Sequence, residues 1–273
     1  MPRLLHVSDL HFGHHGVPAQ VEALEAIIAR EAFDAIVVSG DLTQRQRVHE
    51  YAHALKFLRL ARDRAPVIAV PGNHDVSWWL APFGLGRPRS MYHRYRRFVS
   101  TEVEPEMHLP GLTFVGLNSA QGLQSFTLTV RLRDLSVVGV LLPEQWDRAR
   151  AVFAASPPEN LKVLVMHHNL LRGRLSNRWG LVNRARGIEQ AAATGADLVL
   201  CGHDHEERME QVTAAGRRFV VSTANTLSDR MRGGLPSALN VIEGDAAQLR
   251  VALWQWRPAL STFTVERTAC FAR

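Results

Sequence analysis

Six short apolar runs constrain this chain more than any other feature. They occupy residues 3–8, 35–39, 66–70, 112–117, 161–166 and 197–201; most are rich in Val, Ile and Leu, and most run out into Ser, Gly, Asn, His or Asp. Runs of that length and character read as buried strands. Amphipathic stretches lie between them. Val21, Leu24, Ile27 and Ile28 share one helical face within residues 18–31, and Val48, Tyr51, Ala52, Leu55 and Leu58 do so within 46–62. Strand–helix–strand alternation is the α/β pattern. After residue 215 the pattern changes. Residues 217–223, 237–242, 248–256 and 262–267 read as consecutive strands with short polar turns, which we expect to build a second sheet.

With 273 residues, 46% of them hydrophobic and 21% charged, the chain can bury a large core and is neither disordered nor collagen-like. No window of 18 apolar residues occurs, so no helical span of a bilayer is expected. The start, Met1 to Asp9, reads as a strand and not as a signal peptide. Cys201 and Cys270 are the only cysteines, which argues against an oxidised framework and for the cytoplasm. The net charge of +6 suits an acidic partner, a phosphate compound more than nucleic acid or a membrane surface. Residues 76–110 stand apart: Trp78-Trp79-Leu80, then Pro82, Gly84, Gly86 and Pro88, then Arg94-Tyr95-Arg96-Arg97. This segment reads as a cap inserted into a single domain spanning 1–273. Its readings are a lid, a homodimer contact, or an interfacial patch of aromatics and arginines.

Five polar clusters sit where strands end. They are Ser8-Asp9-Leu10-His11, Gly40-Asp41-Leu42-Thr43, Gly72-Asn73-His74-Asp75, Met166-His167-His168-Asn169 and Cys201-Gly202-His203-Asp204-His205. Ligands of an α/β sheet bind outside the C-terminal ends of its strands, so these turns can converge. Asp, Asn and His together suit Mn²⁺, Fe²⁺ or Zn²⁺. Asp9, His11, Asp41, Asn73, His167, His203 and His205 make seven candidate ligands, too many for one ion and enough for two with one residue shared. Gly40, Gly72 and Gly202 leave room where backbone must come close.

In this order and spacing the clusters resemble those of the calcineurin-like metallophosphoesterase superfamily. The wording around Gly40-Asp41-Leu42-Thr43-Gln44, Val70 to Asp75 and Cys201 to His205 is most similar to bacterial class III cyclic nucleotide phosphodiesterases. The resemblance covers residues 5–205. It implies an α/β fold, a two-sheet β-sandwich flanked by helices (α/β/β/α). It implies two divalent metal ions, with Mn the choice in vitro. Asp9, His11 and His205 would hold the first, Asn73, His167 and His203 the second, and Asp41 would bridge them. His74 would contact the phosphoryl group or assist the leaving oxygen. Asn169 departs from the family, which has Pro after the histidine pair. Thr43-Gln44-Arg45-Gln46 lacks the Arg-Gly of the protein phosphatase branch.

The expected activity is metal-dependent phosphodiester hydrolysis of a small substrate, such as a 3′,5′-cyclic nucleotide, by a hydroxide bridging two cations. Alternatives are a pyrophosphatase of lipid-linked precursors such as UDP-diacylglucosamine, a nuclease, and a non-catalytic scaffold of the same fold. His49-Glu50-Tyr51-Ala52-His53 matches a zinc-protease signature but reads as an exposed helix edge. His6 reads as a core histidine, and Asn118 as a turn cap. His14, His15, Arg45 and Arg47 are candidate substrate contacts; His93 and His108 read as surface. Specificity is expected from loops 12–18, 76–110 and 121–136.

Overall fold

The computed structural model describes residues 1–85, 88–124, 138–175 and 180–273. Its first sheet contains β1 (Arg3–Val7), β2 (Ala35–Val38) and β3 (Val67–Ala69), followed in the chain by β10 (Ala238–Gly244), β11 (Gln248–Arg257) and β12 (Thr262–Ala272). The second contains β4 (Glu106–Leu109), β5 (Leu112–Gly116), β6 (Leu161–Val165), β7 (Leu198–Cys201), β8 (Arg208–Ala214) and β9 (Arg217–Thr223). Their spatial orders are β12-β11-β10-β1-β2-β3 and β4-β5-β6-β7-β9-β8. Within the first sheet β1, β2 and β3 are parallel, and within the second β5, β6, β7 and β9 are parallel.

Alternation along the strands sets the layers. Leu4, Val37 and Ile68 of the first sheet meet Phe114, Val163, Val165 and Leu200 of the second in one core between the sheets. Leu5, Val7, Ile36 and Val38 face the other way, onto α1 (Pro18–Arg30) and α2 (Val48–Arg62). Val115, Leu164 and Val199 pack on α4 (Pro143–Ala155) and α5 (Arg184–Thr194). The expected two-sheet sandwich between helical layers is therefore the fold, and strands with both faces covered explain the near-continuous apolar runs.

One expectation is corrected. The strands after residue 215 do not build a sheet of their own. β9 joins β7 in the second sheet, while β10 to β12 extend the first sheet beyond β1. The reason lies in β10: Leu239 and Val241 pack toward the helices and Ile242 toward the other sheet, so this strand needs an interior place. The segment expected as a cap contains short helical turns and α3 (His93–Phe98), joined by a cluster of Val76, Ala81, Met91, Tyr92 and Ala120. Its last residues are not cap: Glu106–Leu109 are the edge strand β4. Of the loop expected over 121–136, residues 125–136 lie outside the described residues, as does Arg87 of the basic run. No helix among the described residues is long and apolar enough to cross a membrane. Cys201 is buried, Cys270 is exposed, and both are free thiols.

Candidate metal centre

The five polar clusters follow β1, β2, β3, β6 and β7, all at C-terminal strand ends. The first two loops run side by side, Asp9 N donating to Gly40 O at 3.0 Å and His11 N to Asp41 O at 3.0 Å. Asp75 ties the second loop to the third: its carboxylate accepts from the backbone N–H groups of Leu42, Thr43 and Gly72 and from the Thr43 hydroxyl, at 2.9–3.1 Å. Asn169 braces the fourth against the fifth, donating to Asp204 Oδ2 at 2.8 Å, so the residue that departs from the resemblance has a structural task. A Cβ on Gly72 would stand 2.1 Å from Asp41 Oδ1, and one on Gly202 1.9 Å from Ser8 Oγ. Only glycine permits those approaches.

All seven candidate ligands meet. Around one point, Asp9 Oδ1 lies 3.1 Å from His205 Nε2 and 3.6 Å from His11 Nε2, and the two ring nitrogens are 3.1 Å apart. Around a second, Asn73 Oδ1 lies 3.2 Å from His167 Nε2 and 3.1 Å from His203 Nδ1, which are 3.3 Å from each other. Asp41 Oδ2 stands between, 3.3 Å from His167 Nε2 and 3.8 Å from His11 Nε2. Donors about 2.1 Å from a common ion stand roughly 3 Å apart, so these separations suit two ions sharing one carboxylate. Among the described residues Asp9 Oδ1 is buried without a hydrogen-bond partner, which fits an oxygen that could bind a cation.

Each donor is aimed by its other end. Asp9 Oδ2 accepts from Ser8 Oγ at 2.6 Å and from His203 N at 2.9 Å; Asp41 Oδ1 accepts from His74 N at 2.8 Å. One oxygen of each carboxylate is thereby fixed and the other faces the centre. His167 Nδ1 donates to Ser39 O at 2.8 Å and His205 Nδ1 to Arg230 O at 2.7 Å, which turns Nε2 of each ring toward the centre as a candidate metal donor. Asp9, His11, Asp41, His203 and His205 all adopt positive φ, from 44° to 76°. Such conformations cost energy outside glycine and gather where function requires them.

Burial dominates the electrostatics. It raises the cost of charge on Asp9 and Asp41, but the surrounding histidines outweigh it and hold both carboxyls well below the usual range. For His11 burial prevails and pushes the ring down to about 3, whereas for His167 the adjacent Asp41 overcomes burial and raises it to about 9. His203 is driven well below its ordinary value by burial and by His168 and His167. His74 is also lowered, by burial first, so its ring is neutral at pH 7. Its Nδ1 donates to Gln44 O at 2.8 Å, and its ring meets that of His11 edge-on at 4.9 Å between centroids.

Several residues fall elsewhere. His168 stands behind the centre, within 2.8 Å of Ser119 Oγ and against the His203 ring, so His167 is the one of the pair that faces Asp41. His6 is fully buried against Ser39 Oγ, and Asn118 Oδ1 caps its own turn at Ala120 N. His49 and His53 are exposed, while Glu50 is buried, accepting from the backbone of Arg45 and Arg47 at the start of α2. The Arg45 and Arg47 side chains are exposed. His15 pairs with Asp229 and His14 packs on His15, outside the centre. Sequence reasoning missed Arg230, whose Nη1 reaches His11 and His74. One arginine in a loop among 32 basic residues carries no local signal.

A model of the calcineurin-like phosphoesterase family matches residues 2–207, and the chain belongs to that family. A glycerophosphodiester phosphodiesterase, GpdQ of Enterobacter lignolyticus (strain SCF1), is 36% identical over 87 residues, covering 26% of this chain and 29% of that protein. The match thus spans under a third of that relative's length. Among solved structures, the purple acid phosphatase PPD1 of yellow lupin (Lupinus luteus) seeds is similar with a TM-score of 0.71 at 10% identity, over 100% of this chain and 54% of that one. GAP50, the anchor in the inner membrane complex of Plasmodium, is similar with a TM-score of 0.58 at 11% identity, over 99% and 88%. These two share the fold.

Proposed function

We propose that the chain is a metal-dependent hydrolase of a small phosphodiester, a 3′,5′-cyclic nucleotide being the specific candidate. The fold does not carry this reading, since one similar structure is an anchor protein. The observation that carries it is that two donor sets meet on one oxygen, Asp41 Oδ2. A scaffold has no use for that arrangement. The family match and the phosphodiesterase relative support it. In the proposal Asp9, His11 and His205 hold one divalent ion, Asn73, His167 and His203 the other, and Asp41 both. When bound, the ions supply Lewis acidity that activates water and neutralises phosphoryl oxygens. His74, held through Nδ1, presents Nε2 to the same space as His11. Being neutral at pH 7, it accepts a hydrogen bond there, and it must first take up a proton before it can give one to the leaving oxygen. A cytoplasmic location completes the proposal, in keeping with two free thiols.

The test is a panel of monoesters, diesters, cyclic nucleotides, pyrophosphates and single-stranded DNA with added Mn²⁺, each with a chelator control. Chelator-sensitive cleavage of small diesters, faster than of monoesters, is expected. The opposite order, or no cleavage by chain holding two metals, rejects the reading. The exposed Trp79, Phe83 and Leu85 (54%, 46% and 72%) favour a second reading, a lipid-linked pyrophosphate as substrate. Dependence of turnover on vesicles or detergent would select it.

A further inference from the structure

We propose that Arg230 binds the phosphoryl group of the substrate beside His74, a role that rests on the hydrolase reading above. Arg230 lies in the loop between β9 and β10, far in sequence from the five polar clusters. That loop is fastened to the first cluster at several points. Thr226 Oγ1 donates to Asp9 O at 2.8 Å, Asp229 N donates to His15 O at 3.0 Å, and His15 Nδ1 is 2.7 Å from Asp229 Oδ1. The Arg230 carbonyl accepts a hydrogen bond from His205 Nδ1 at 2.7 Å. The backbone at this residue is thus fixed from both sides, and the guanidinium is delivered to one place.

That place is the mouth of the centre. Arg230 Nη1 lies 3.1 Å from His74 Nε2, 3.3 Å from His11 Nε2 and 3.3 Å from Gln44 Oε1. None of the three is a carboxylate. Among the described residues the guanidinium forms no ion pair with a carboxylate, and its hydrogen bonds all run through Nη1. A half-buried guanidinium would ordinarily be matched by an anion. Its fork of donors fits two oxygens of one phosphoryl group, which Lys cannot match in geometry. A phosphodiester brings one negative charge, and attack on phosphorus adds a second, so a fixed cation here favours the transition state over the ground state.

The experiment uses inorganic phosphate as the probe. Phosphate binding to the Mn²⁺-loaded chain is measured by calorimetry for wild type, Arg230→Ala and Arg230→Lys, with metal content determined on each. Diester kinetics are measured alongside. Arg230→Ala is expected to weaken phosphate binding on the order of 10- to 100-fold, with a similar loss in kcat/KM and two metals retained. Arg230→Lys should recover part of the affinity. An unchanged phosphate Kd in Arg230→Ala overturns the inference, and so does loss of metal, which would make Arg230 a structural support of His205. If wild type binds phosphate through Arg230 but cleaves no ester, the hydrolase reading falls and the anion site stands. If wild type cleaves diesters and Arg230→Ala matches it in Kd and KM, only this inference falls.

Discussion

The two halves of the candidate centre are built from the same kinds of loop but carry different charge. One half gathers Asp9, His11 and His205; the other gathers Asn73, His167 and His203. Apart from Asp41, which stands between them, the first half owns a carboxylate and the second only a carboxamide. In the first, burial keeps His11 unprotonated down to about 3. In the second, His167 keeps a proton to about 9, held by Asp41 despite its burial. A metal ion must displace that proton, whereas it meets a bare carboxylate oxygen on Asp9. The difference predicts that symmetry of position does not bring symmetry of affinity: in the proposed assignment the Asp9 half is expected to hold its ion more tightly.

The largest effect comes from removing what the halves share. Asp41→Ala is expected to reduce turnover on the order of 10³-fold or more and to lower metal content below two per chain, with the fold retained. Elemental analysis together with circular dichroism checks it. Two full metals and near-normal turnover would break the comparison at its root. A smaller effect comes from exchanging the charge between the halves. Asn73→Asp should tighten the weaker ion, and Asp9→Asn should loosen the tighter one, each by roughly 10- to 100-fold. Chelator-competition titrations resolve the two stoichiometric steps. Steps of equal affinity in wild type, or movement of the wrong step in either variant, would contradict the assignment.

How much of this the amino-acid sequence discloses depends on where a residue sits between the layers. Interior strands such as β1, β2, β6 and β7 are apolar on both faces and end in the clusters, so both strand and site are legible. The strands that escape notice are β4 and β8, the two edges of the second sheet. β4 is four residues long and alternates exposed with half-buried positions, and β8 is half-buried and largely polar, so neither shows an apolar run. β12, the edge of the first sheet, is seen only in part for the same reason: its exposed stretch extends to Ala272, beyond the expected 267. Within the centre, the candidate ligands are legible because their types are rare together at strand ends. Asp75 and Asn169 are visible as letters but not as braces, since their partners, Leu42 and Thr43 for one and Asp204 for the other, come from different loops. Arg230 is the extreme case, being placed only by the passage of the chain from one sheet to the other.

The gentlest probe of the difference between the halves is pH applied to chain freed of metal by chelation. His167 binds its proton more tightly folded, with its value raised to about 9, than unfolded, near 6.5. Between those values the folded state carries more protons than the unfolded one, so stability falls as pH rises. The contribution of the His167–Asp41 pair is complete below about 6.5 and lost as pH passes 9. The slope cannot exceed about 1.4 kcal/mol per pH unit for a single proton. His11 gives the opposite sign in a different window: its value of about 3 means that stability is lost only on acidification below 6.5. His167→Gln should therefore flatten the alkaline decline in Tm and leave the acid decline in place, while His11→Gln should lessen the acid decline alone. Tm measured from pH 4 to 10 on the three chains separates the cases. An alkaline decline that survives His167→Gln would mean that the second half holds no such proton, and the proposed inequality between the two ions would then rest on Asp9 alone.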